Sequence, residues 1–419
     1  MNVRIRPSKL EGEVVIPPSK SLAHRAIIAA SLAEGISKIS NIQYSEDILA
    51  TIRGMRCLGA QIEEYSDHLI ITGSKVKRIN DSIFANESGS TLRFLIPIAL
   101  LDEEKVSFDG AGKLPLRPLD LYFELFEKFG IEYKHPEGKY LPLEVKGKLK
   151  SGIYEIRGDV SSQFITGLLY TLPQLEGDSK IVITTKLESK GYIDLTLDIL
   201  EMFGVKVIFN ENEIIVPGNQ TFKAIDYAVE GDYSQSAFFL LANMLGNKVV
   251  LKGMRKDSYQ GDKKILDDIK DFGGEIISSG NDLYANPVNL HGANISFAQS
   301  PDLGPALTVL ASVAPGNSHF YDALRLRIKE CDRITCVREE LEKLGANITE
   351  FESGMDIVGT KLHGGVVDSH NDHRLAMAFA MISTVIEEDI VIENASAINK
   401  SYPSFWEVFE SLGGKISYE

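Results

Sequence analysis

The sequence predicts an α/β fold of two similar domains, because one pattern of helices and strands repeats along the chain. Six amphipathic helices each end in a glycine, and these glycines recur about every 70 residues. A glycine at that point is typical of a left-handed helix C-cap. Six further helices have a polar start and a small or apolar body, and most precede a short strand. We therefore predict six units of helix–strand–helix–strand–strand, whose capping glycines are Gly59, Gly130, Gly204, Gly273, Gly345 and Gly413.

The six units group naturally into two domains of three repeats each. One unit is small for independent stability, whereas three make a domain of ordinary size. The first unit follows the strand VVIPP, and the fourth begins near Gly231. We therefore predict a first domain at residues 19–228 and a second, discontinuous domain formed by residues 1–16 plus 229–419. The small-residue helices are expected to lie inside each domain and the charged helices outside.

Composition excludes several classes of function. The chain of 419 residues has a formal net charge of −15, which argues against nucleic acid and against a polybasic membrane surface as partners. Its three cysteines are not spaced as metal ligands, and so few cysteines make a disulfide framework unexpected. The N-terminal stretch contains no apolar core of a signal peptide. We therefore expect a cytoplasmic protein.

The inner helix starts carry an unusual set of polar residues. Lysine or arginine in the first turn opposes the positive end of the helix dipole, an arrangement that costs free energy unless an anion binds there. Free N–H groups, serine and glycine at a helix start let such an anion approach closely. The residues at the six starts are Lys20, Ser21, Arg25, Gly89, Ser90, Arg93, Ser161, Ser162, Gln163, Asp232, Ser234, Asp302, Asp372, His373 and Arg374.

Further cations cluster in three loops of this acidic chain. GKLPLRP contains Arg117, RLRIKECDR contains Lys329, Glu330 and Arg333, and INKSYPS contains Lys400. Such focusing of positive charge indicates a site for an anionic metabolite. Because arginine binds phosphate and carboxylate groups bidentately, we predict a ligand that carries both groups.

The motifs PPSKSLAHRA, ESGSTLR, LPLRP, SSQF, ESKGYIDLTL, VEGDYSQSA, RIKECDR, NDHR and NKSYP, in this order, make the chain resemble the enolpyruvyl transferases. The resemblance covers nearly the whole chain and is strongest to the branch that uses shikimate 3-phosphate. It implies two similar domains, each of three βαβαββ units with inner helices, an inside-out α/β barrel. It also implies transfer of the enolpyruvyl group of phosphoenolpyruvate to the 5-hydroxyl of shikimate 3-phosphate. Phosphate would leave through a tetrahedral intermediate in this step of aromatic amino acid biosynthesis.

The same resemblance implies a monomer whose active site lies between the two domains and needs no metal or organic cofactor. It also implies a role for individual residues. The implied catalytic residues are Lys20, Asp302 and Glu330. The implied shikimate 3-phosphate ligands are Lys20, Ser21, Arg25, Ser161, Ser162, Gln163, Ser189, Asp302 and Lys329. The implied phosphoenolpyruvate ligands are Lys20, Gly89, Arg117, Gln163, Arg333, Arg374 and Lys400.

Several alternatives remain at this level. Ser161, Ser162 and Asp302 could serve only as helix caps, and Arg93 could support a loop instead of contacting a ligand. The chain departs from the family pattern at Glu87 and Arg325, where many relatives have asparagine. A UDP-N-acetylglucosamine enolpyruvyl transferase is the nearest rival, but it typically has Lys-Asn at the first helix and a cysteine before the Arg-Pro pair. A non-catalytic, metabolite-binding relative is a further alternative.

Overall fold

The computed structural model describes residues 1–419, which divide into two compact domains. The first domain is Lys20–Val229, and the second combines Met1–Ser19 with Glu230–Glu419. The sequence-predicted first domain, 19–228, differs from this division by one residue at each end. None of the helices combines the length and the apolar character needed to cross a membrane.

Each repeat contains one inner and one outer helix. The twelve helices are α1 (Lys20–Leu32), α2 (Glu46–Cys57), α3 (Gly89–Ala99), α4 (Asp120–Phe129), α5 (Ser162–Thr171), α6 (Lys190–Met202), α7 (Tyr233–Met244), α8 (Ile265–Asp271), α9 (Gly304–Val313), α10 (Arg333–Glu342), α11 (His373–Ile382) and α12 (Phe405–Ser411).

The strands are short and belong to six sheets. They are β1 (Val3–Arg6), β2 (Glu11–Val15), β3 (Ala33–Ser40), β4 (Gln61–Glu64), β5 (His68–Gly73), β6 (Ser82–Phe84), β7 (Val106–Asp109), β8 (Glu132–Lys134), β9 (Leu143–Lys146), β10 (Ile153–Ile156), β11 (Ser179–Ile183), β12 (Ile208–Asn210), β13 (Glu213–Val216), β14 (Phe222–Lys223), β15 (Tyr227–Ala228), β16 (Lys248–Lys252), β17 (Gly274–Ser279), β18 (Asp282–Pro287), β19 (Asn294–Ser296), β20 (Asn317–Tyr321), β21 (Asn347–Phe351), β22 (Gly354–Val358), β23 (Gly365–Asp368), β24 (Ile390–Glu393) and β25 (Lys415–Tyr418).

The sheets of the first domain share one topology. One sheet has the order β6–β7–β9–β8. Its strands β6 and β7 are parallel and are connected by the inner helix α3, and the antiparallel hairpin of β8 and β9 completes the sheet. The sheet β10–β11–β13–β12 repeats this arrangement. In the sheet of β3, β4 and β5, the parallel position beside β3 is taken by β14 and β15 from the end of the domain. The last residues of the domain therefore complete its first repeat.

The second domain repeats the topology in the sheets β17–β18–β16–β2, β19–β20–β22–β21 and β23–β24–β1–β25. The N-terminal strand β1 is antiparallel to both β24 and the C-terminal strand β25, so the two chain ends finish the sixth unit. Each domain thus consists of three βαβαββ units, and the predicted α/β fold class is confirmed.

The two kinds of helix differ in burial as predicted. Every residue of α7 and α11 is buried, whereas the outer helix α10 buries one face only. The glycines that end the outer helices all have positive φ, and Gly130 at φ 70° caps α4 in the left-handed conformation. The periodic glycines therefore mark the helix ends because only a residue without a side chain adopts that conformation at little cost.

Candidate active site

The starts of the inner helices α3 and α5 are joined by side chains in the first domain. Ser88 caps α3 by accepting a hydrogen bond from the backbone N–H of Thr91. From the fifth position of α3, Arg93 Nη1 donates to Gln163 Oε1 at 2.7 Å, and Gln163 Nε2 donates to Ser90 Oγ at 3.0 Å. These bonds fix the amide of Gln163, a residue that the resemblance assigns to both ligands.

Gly89 and Arg117 are in direct contact at the start of α3. A Cβ atom added to Gly89 would lie 2.8 Å from Arg117 Nη1 and 3.1 Å from Arg93 Nη1. The Arg117 Nε atom is buried and has no hydrogen-bond partner. Arg93 also donates to the carbonyl of Pro118 at 3.1 Å, which supports the loop next to Arg117. A guanidinium packed on a helix start forms a site that an anion would complement.

Lys20 opens α1 and pairs with a carboxylate that the sequence analysis did not identify. Its Nζ lies 2.7 Å from Asp47 Oδ2, and both side chains are largely buried. This ion pair offsets the unfavourable position of the ammonium group at a helix start. Nearby, His24 Nδ1 bonds to Thr51 Oγ1 at 2.7 Å. Burial and then the charges of Lys20 and Arg25 lower the pKa of His24 well below its ordinary value, so its imidazole is neutral.

Arg25 ties α1 to the outer helix α6. Its guanidinium donates to Thr196 Oγ1 at 2.9 Å, to the Ser21 carbonyl at 2.7 Å and to the Tyr192 carbonyl at 2.9 Å. It also lies over the ring of Phe94, with 5.3 Å between Cζ and the ring centroid. Burial lowers the pKa of Arg25, yet a guanidinium stays charged at any physiological pH. Arg25 therefore has a structural role whether or not it binds a ligand.

The four predicted serine ligands all lie at helix starts, and Ser21 is the second residue of α1. Ser161 caps α5 by accepting from the Gln163 N–H at 3.3 Å, and Ser162 is the buried first residue of that helix. Ser189 precedes α6 in the left-handed conformation, with φ 54°. A buried residue other than glycine in this conformation is uncommon and is typical of a functional turn.

Arg333 is the centre of the predicted site in the second domain. It opens α10 and is 1% exposed. Nε donates to Asp372 Oδ2 at 2.7 Å, Nη1 donates to Asp302 Oδ1 at 2.9 Å, and Nη2 donates to Glu330 Oε2 at 2.8 Å. Burial lowers the pKa of Arg333, but the three carboxylates outweigh it and raise the pKa well above its ordinary value. One guanidinium thus fixes three carboxylates from three segments of the chain.

Asp302 lies among three cations just before the inner helix α9. Oδ1 is 3.1 Å from Lys329 Nζ and 2.9 Å from Arg333 Nη1, and Oδ2 is 3.1 Å from Arg374 Nη2. Burial raises the pKa of Asp302, but these cations together lower it well below its ordinary value. Asp302 is therefore ionised at neutral pH and can accept hydrogen bonds or a proton.

Arg374 and Lys400 are placed by the turn that precedes α11. The Arg374 N–H donates to Asp372 Oδ1 at 2.8 Å, so Asp372 both caps this helix and binds Arg333. Lys400 Nζ donates to the carbonyl of Asn371 at 2.6 Å. Both cations are at most 5% exposed.

Asp262 is a further buried carboxylate, in the second domain, that the sequence did not predict for the site. Asp262 is 3% exposed and accepts a hydrogen bond from Ser234 Oγ at the start of α7. Burial and then the charge of Asp302 raise its pKa while Arg374 lowers it, and the net pKa is about 6. Its signal in the sequence was the segment in which it lies, because the segment before the outer helix α8 corresponds in the repeat to the cation-rich segment before α10.

The predicted residues thus form local groups within each domain. Gly89, Arg117 and Gln163 lie together with Arg93 in the first domain, while Lys20 pairs with Asp47. In the second domain Asp302, Lys329, Glu330, Arg333 and Arg374 form one ion-pair cluster. Of the two departures from the family pattern, the Glu87 carboxylate packs against Gly112 in the Arg117 loop, and Arg325 donates to the Ala298 carbonyl at 2.6 Å. No group of three or more His, Cys, Asp or Glu side chains is arranged to hold a metal ion.

Comparison with known proteins agrees with these motifs. The family model described as EPSP synthase (3-phosphoshikimate 1-carboxyvinyltransferase) matches residues 5–409. A protein of Clostridium novyi named 3-phosphoshikimate 1-carboxyvinyltransferase is 52% identical, over 99% of this chain and 98% of that protein. A protein of the same name from Clostridioides difficile is 48% identical, with the same coverage.

A solved structure has the same fold. EPSP synthase from Acinetobacter baumannii superimposes on the chain with a TM-score of 0.81 at 25% identity, and the match covers 100% of both chains. The family model and the full-length relatives therefore agree with the fold. The chain belongs to the EPSP synthase, or 3-phosphoshikimate 1-carboxyvinyltransferase, family.

Proposed function

We propose that the protein transfers the enolpyruvyl group of phosphoenolpyruvate to the 5-hydroxyl of shikimate 3-phosphate and releases inorganic phosphate. The observation that carries this proposal is the cluster around Asp302, where an ionised carboxylate lies among Lys329, Arg333 and Arg374. Both substrates are anions that repel each other, so a catalyst must first neutralise their charge. Clustered lysine and arginine side chains can neutralise this charge. The choice of reaction follows from the family to which the chain belongs.

The reaction requires a proton to be gained and a proton to be lost. The 5-hydroxyl oxygen bonds to C2 of phosphoenolpyruvate and gives up its proton, while the methylene carbon gains one and becomes a methyl group. The tetrahedral intermediate then loses phosphate from C2 and a proton from the methyl group, which restores the double bond. Positioned carboxyl groups contribute about 10²–10⁴-fold to steps of this kind.

The two carboxyl groups suited to these proton transfers are Asp302 and Glu330. Asp302 has a lowered pKa and is ionised, so we assign it the acceptance of a proton or a hydrogen bond from the 5-hydroxyl. Glu330 is bound to Arg333 Nη2 at 2.8 Å and is assigned to the methylene carbon. Lys20, paired with Asp47, would contribute positive charge between the two substrates.

The remaining predicted residues would hold the two substrates in the orientation that the reaction needs. Such positioning can lower the activation barrier by about 7–11 kcal/mol. Residues of both domains would act on the same pair of substrates. Shikimate 3-phosphate is assigned to Ser21, Arg25, Ser161, Ser162, Gln163, Ser189 and Lys329. Phosphoenolpyruvate is assigned to Gly89, Arg117, Gln163, Arg333, Arg374 and Lys400. The cytoplasmic location and the monomeric state stay predictions.

Phosphate release tests this proposal. Purified protein would be incubated with phosphoenolpyruvate and EDTA, together with shikimate 3-phosphate, UDP-N-acetylglucosamine or neither. We expect release with shikimate 3-phosphate only. Release with the nucleotide sugar would assign the protein to the rival transferase, and folded protein without release would favour the binding-only alternative.

A single substitution tests the assignment of Asp302. Asp302→Asn should lower kcat about 10²–10⁴-fold, because the amide cannot accept the proton. Calorimetric titration with shikimate 3-phosphate would show whether the variant still binds its substrate. Unchanged kcat would remove Asp302 from the proton transfers.

A further inference from the structure

The turn between β23 and α11 has a strained backbone next to the predicted site. His370 and Asn371 are consecutive residues with positive φ, at 51° and 57°. Side-chain-bearing residues seldom adopt this conformation, and two in succession persist only where surrounding contacts impose it. The turn is therefore held in place, and the contacts that hold it can be identified.

The contacts centre on Glu340, a glutamate of α10 that is 2% exposed. Its Oε1 lies 2.8 Å from His370 Nε2, and its Oε2 accepts from the Asp368 N–H at 2.9 Å and from Lys343 Nζ at 2.6 Å. The His370 N–H donates to Asp368 Oδ1 at 2.7 Å. Because a carboxylate only accepts hydrogen bonds, His370 must carry its proton on Nε2. We call His370 and Glu340 the clamp.

The residues that follow the clamp belong to the predicted phosphoenolpyruvate site. The carbonyl of Asn371 accepts the hydrogen bond from Lys400. Asp372 caps α11, binds Arg333 and accepts from the N–H of Arg374. A change in the backbone at His370 would therefore shift the groups that place all three cations.

Helix α10 is attached at two points to the turn that precedes α11. Arg333 opens α10 and binds Asp372, while Glu340, two turns further along α10, binds His370. Two attachments fix the orientation of α10 relative to the turn, which a single ion pair would leave free to pivot. Misplacement of substrate-binding groups by about 1 Å costs about a hundredfold in rate.

We propose that His370 and Glu340 are positioning residues for the reaction, which set Lys400, Arg374 and Arg333 for phosphoenolpyruvate without touching it. This inference rests on the proposed function. The clamp acts on the three cations assigned to phosphoenolpyruvate, and most of the groups assigned to shikimate 3-phosphate lie in the other domain. The two KM values should therefore respond differently when the clamp is removed.

The test compares His370→Ala, His370→Gln and Glu340→Gln with wild type by steady-state kinetics. The matched control is His319→Ala, which removes another His–carboxylate pair of the same domain, the one with Asp356 on an exposed sheet face. His370→Ala should raise the KM for phosphoenolpyruvate about tenfold or more and leave the KM for shikimate 3-phosphate within about twofold. Glu340→Gln, with its folding checked by its thermal midpoint, should show the same pattern as His370→Ala, a raised KM for phosphoenolpyruvate and an almost unchanged KM for shikimate 3-phosphate.

Partial rescue distinguishes a positioning role from general destabilisation. The amide nitrogen of glutamine can take the place of His370 Nε2. The KM of His370→Gln for phosphoenolpyruvate should therefore be close to that of wild type and well below that of His370→Ala. The control His319→Ala should match wild type. Equal changes in both KM values, no change in either, or a glutamine variant as impaired as alanine would overturn the clamp. A wild-type protein that transfers nothing would instead refute the proposed function itself.

Discussion

Replacing Gly89 with alanine tests the geometry of the predicted phosphoenolpyruvate site directly. Gly89 is the first residue of α3, and its backbone is not in the left-handed region, so alanine introduces no backbone strain. The new methyl group would lie 2.8 Å from Arg117 Nη1 and 3.1 Å from Arg93 Nη1. Ordinary carbon–nitrogen contacts begin near 3.4 Å. The Arg117 guanidinium must therefore move by about 0.6 Å, which its flexible side chain allows.

The expected effect follows from that displacement. A misplacement of about 1 Å costs about a hundredfold, so a shift of about 0.6 Å should raise the KM for phosphoenolpyruvate about ten- to hundredfold. The KM for shikimate 3-phosphate should stay within about twofold, because Arg117 is assigned to the other substrate. Stability should not fall, since alanine in place of glycine in a helix gains about 0.5–1 kcal/mol.

Steady-state kinetics and urea unfolding would measure these quantities on the same preparations. Gly130→Ala is a suitable control, because Gly130 lies outside the site at φ 70°, where alanine is strained. It should lose about 1 kcal/mol of stability and keep both KM values. The reasoning fails if Gly89→Ala leaves the phosphoenolpyruvate KM unchanged or raises both KM values equally.

Three further predictions concern charged side chains of the predicted site. Burial raises the pKa of Asp262 to about 6, so its protonation stabilises the fold below the unfolded pKa of 3.8, and this stabilisation disappears as the pH rises through 6. From pH 7 to pH 4, wild type should therefore gain up to about 3 kcal/mol in unfolding free energy relative to Asp262→Asn, and parallel pH curves in urea unfolding would refute this. Asp372→Ala removes one buried partner of Arg333, so the free energy of unfolding in urea should fall by about 3–5 kcal/mol. A fall below about 1 kcal/mol would contradict a stabilising role for that ion pair. Arg117→Ala should raise the KM for phosphoenolpyruvate, and Arg117→Lys should raise it nearly as much, because an ammonium group cannot bind bidentately. A wild-type KM for Arg117→Lys in initial-rate assays would exclude the bidentate contact.

The architecture could be predicted because it is encoded by local, repeated features. Small-residue helices are buried on all sides, and the capping glycines take the positive φ that their position requires. Asp232 and Asp372, two of the polar residues at the predicted helix starts, accept hydrogen bonds from N–H groups in the first turns of α7 and α11. Such signals lie within a few residues of one another, so a single sequence contains them.

The contacts inside the site could not be predicted, because they join residues far apart in the chain. Asp47 as the partner of Lys20, and Glu340 as the partner of His370, leave no spacing or composition signal. Arg333 was expected to bind a substrate, yet three carboxylates of the protein surround it. The sequence predicts which helix starts carry charge, whereas only the packed fold determines which charges meet.

The central claim is that the protein transfers the enolpyruvyl group and does not merely release phosphate. Equimolar phosphoenolpyruvate and shikimate 3-phosphate would be followed by ³¹P NMR in the presence of enzyme and EDTA. We predict that the phosphoenolpyruvate resonance falls, while inorganic phosphate and one new phosphomonoester resonance rise in equal amounts. Phosphate without a new phosphomonoester would indicate hydrolysis, and an unchanged spectrum with folded protein would contradict the proposed reaction altogether.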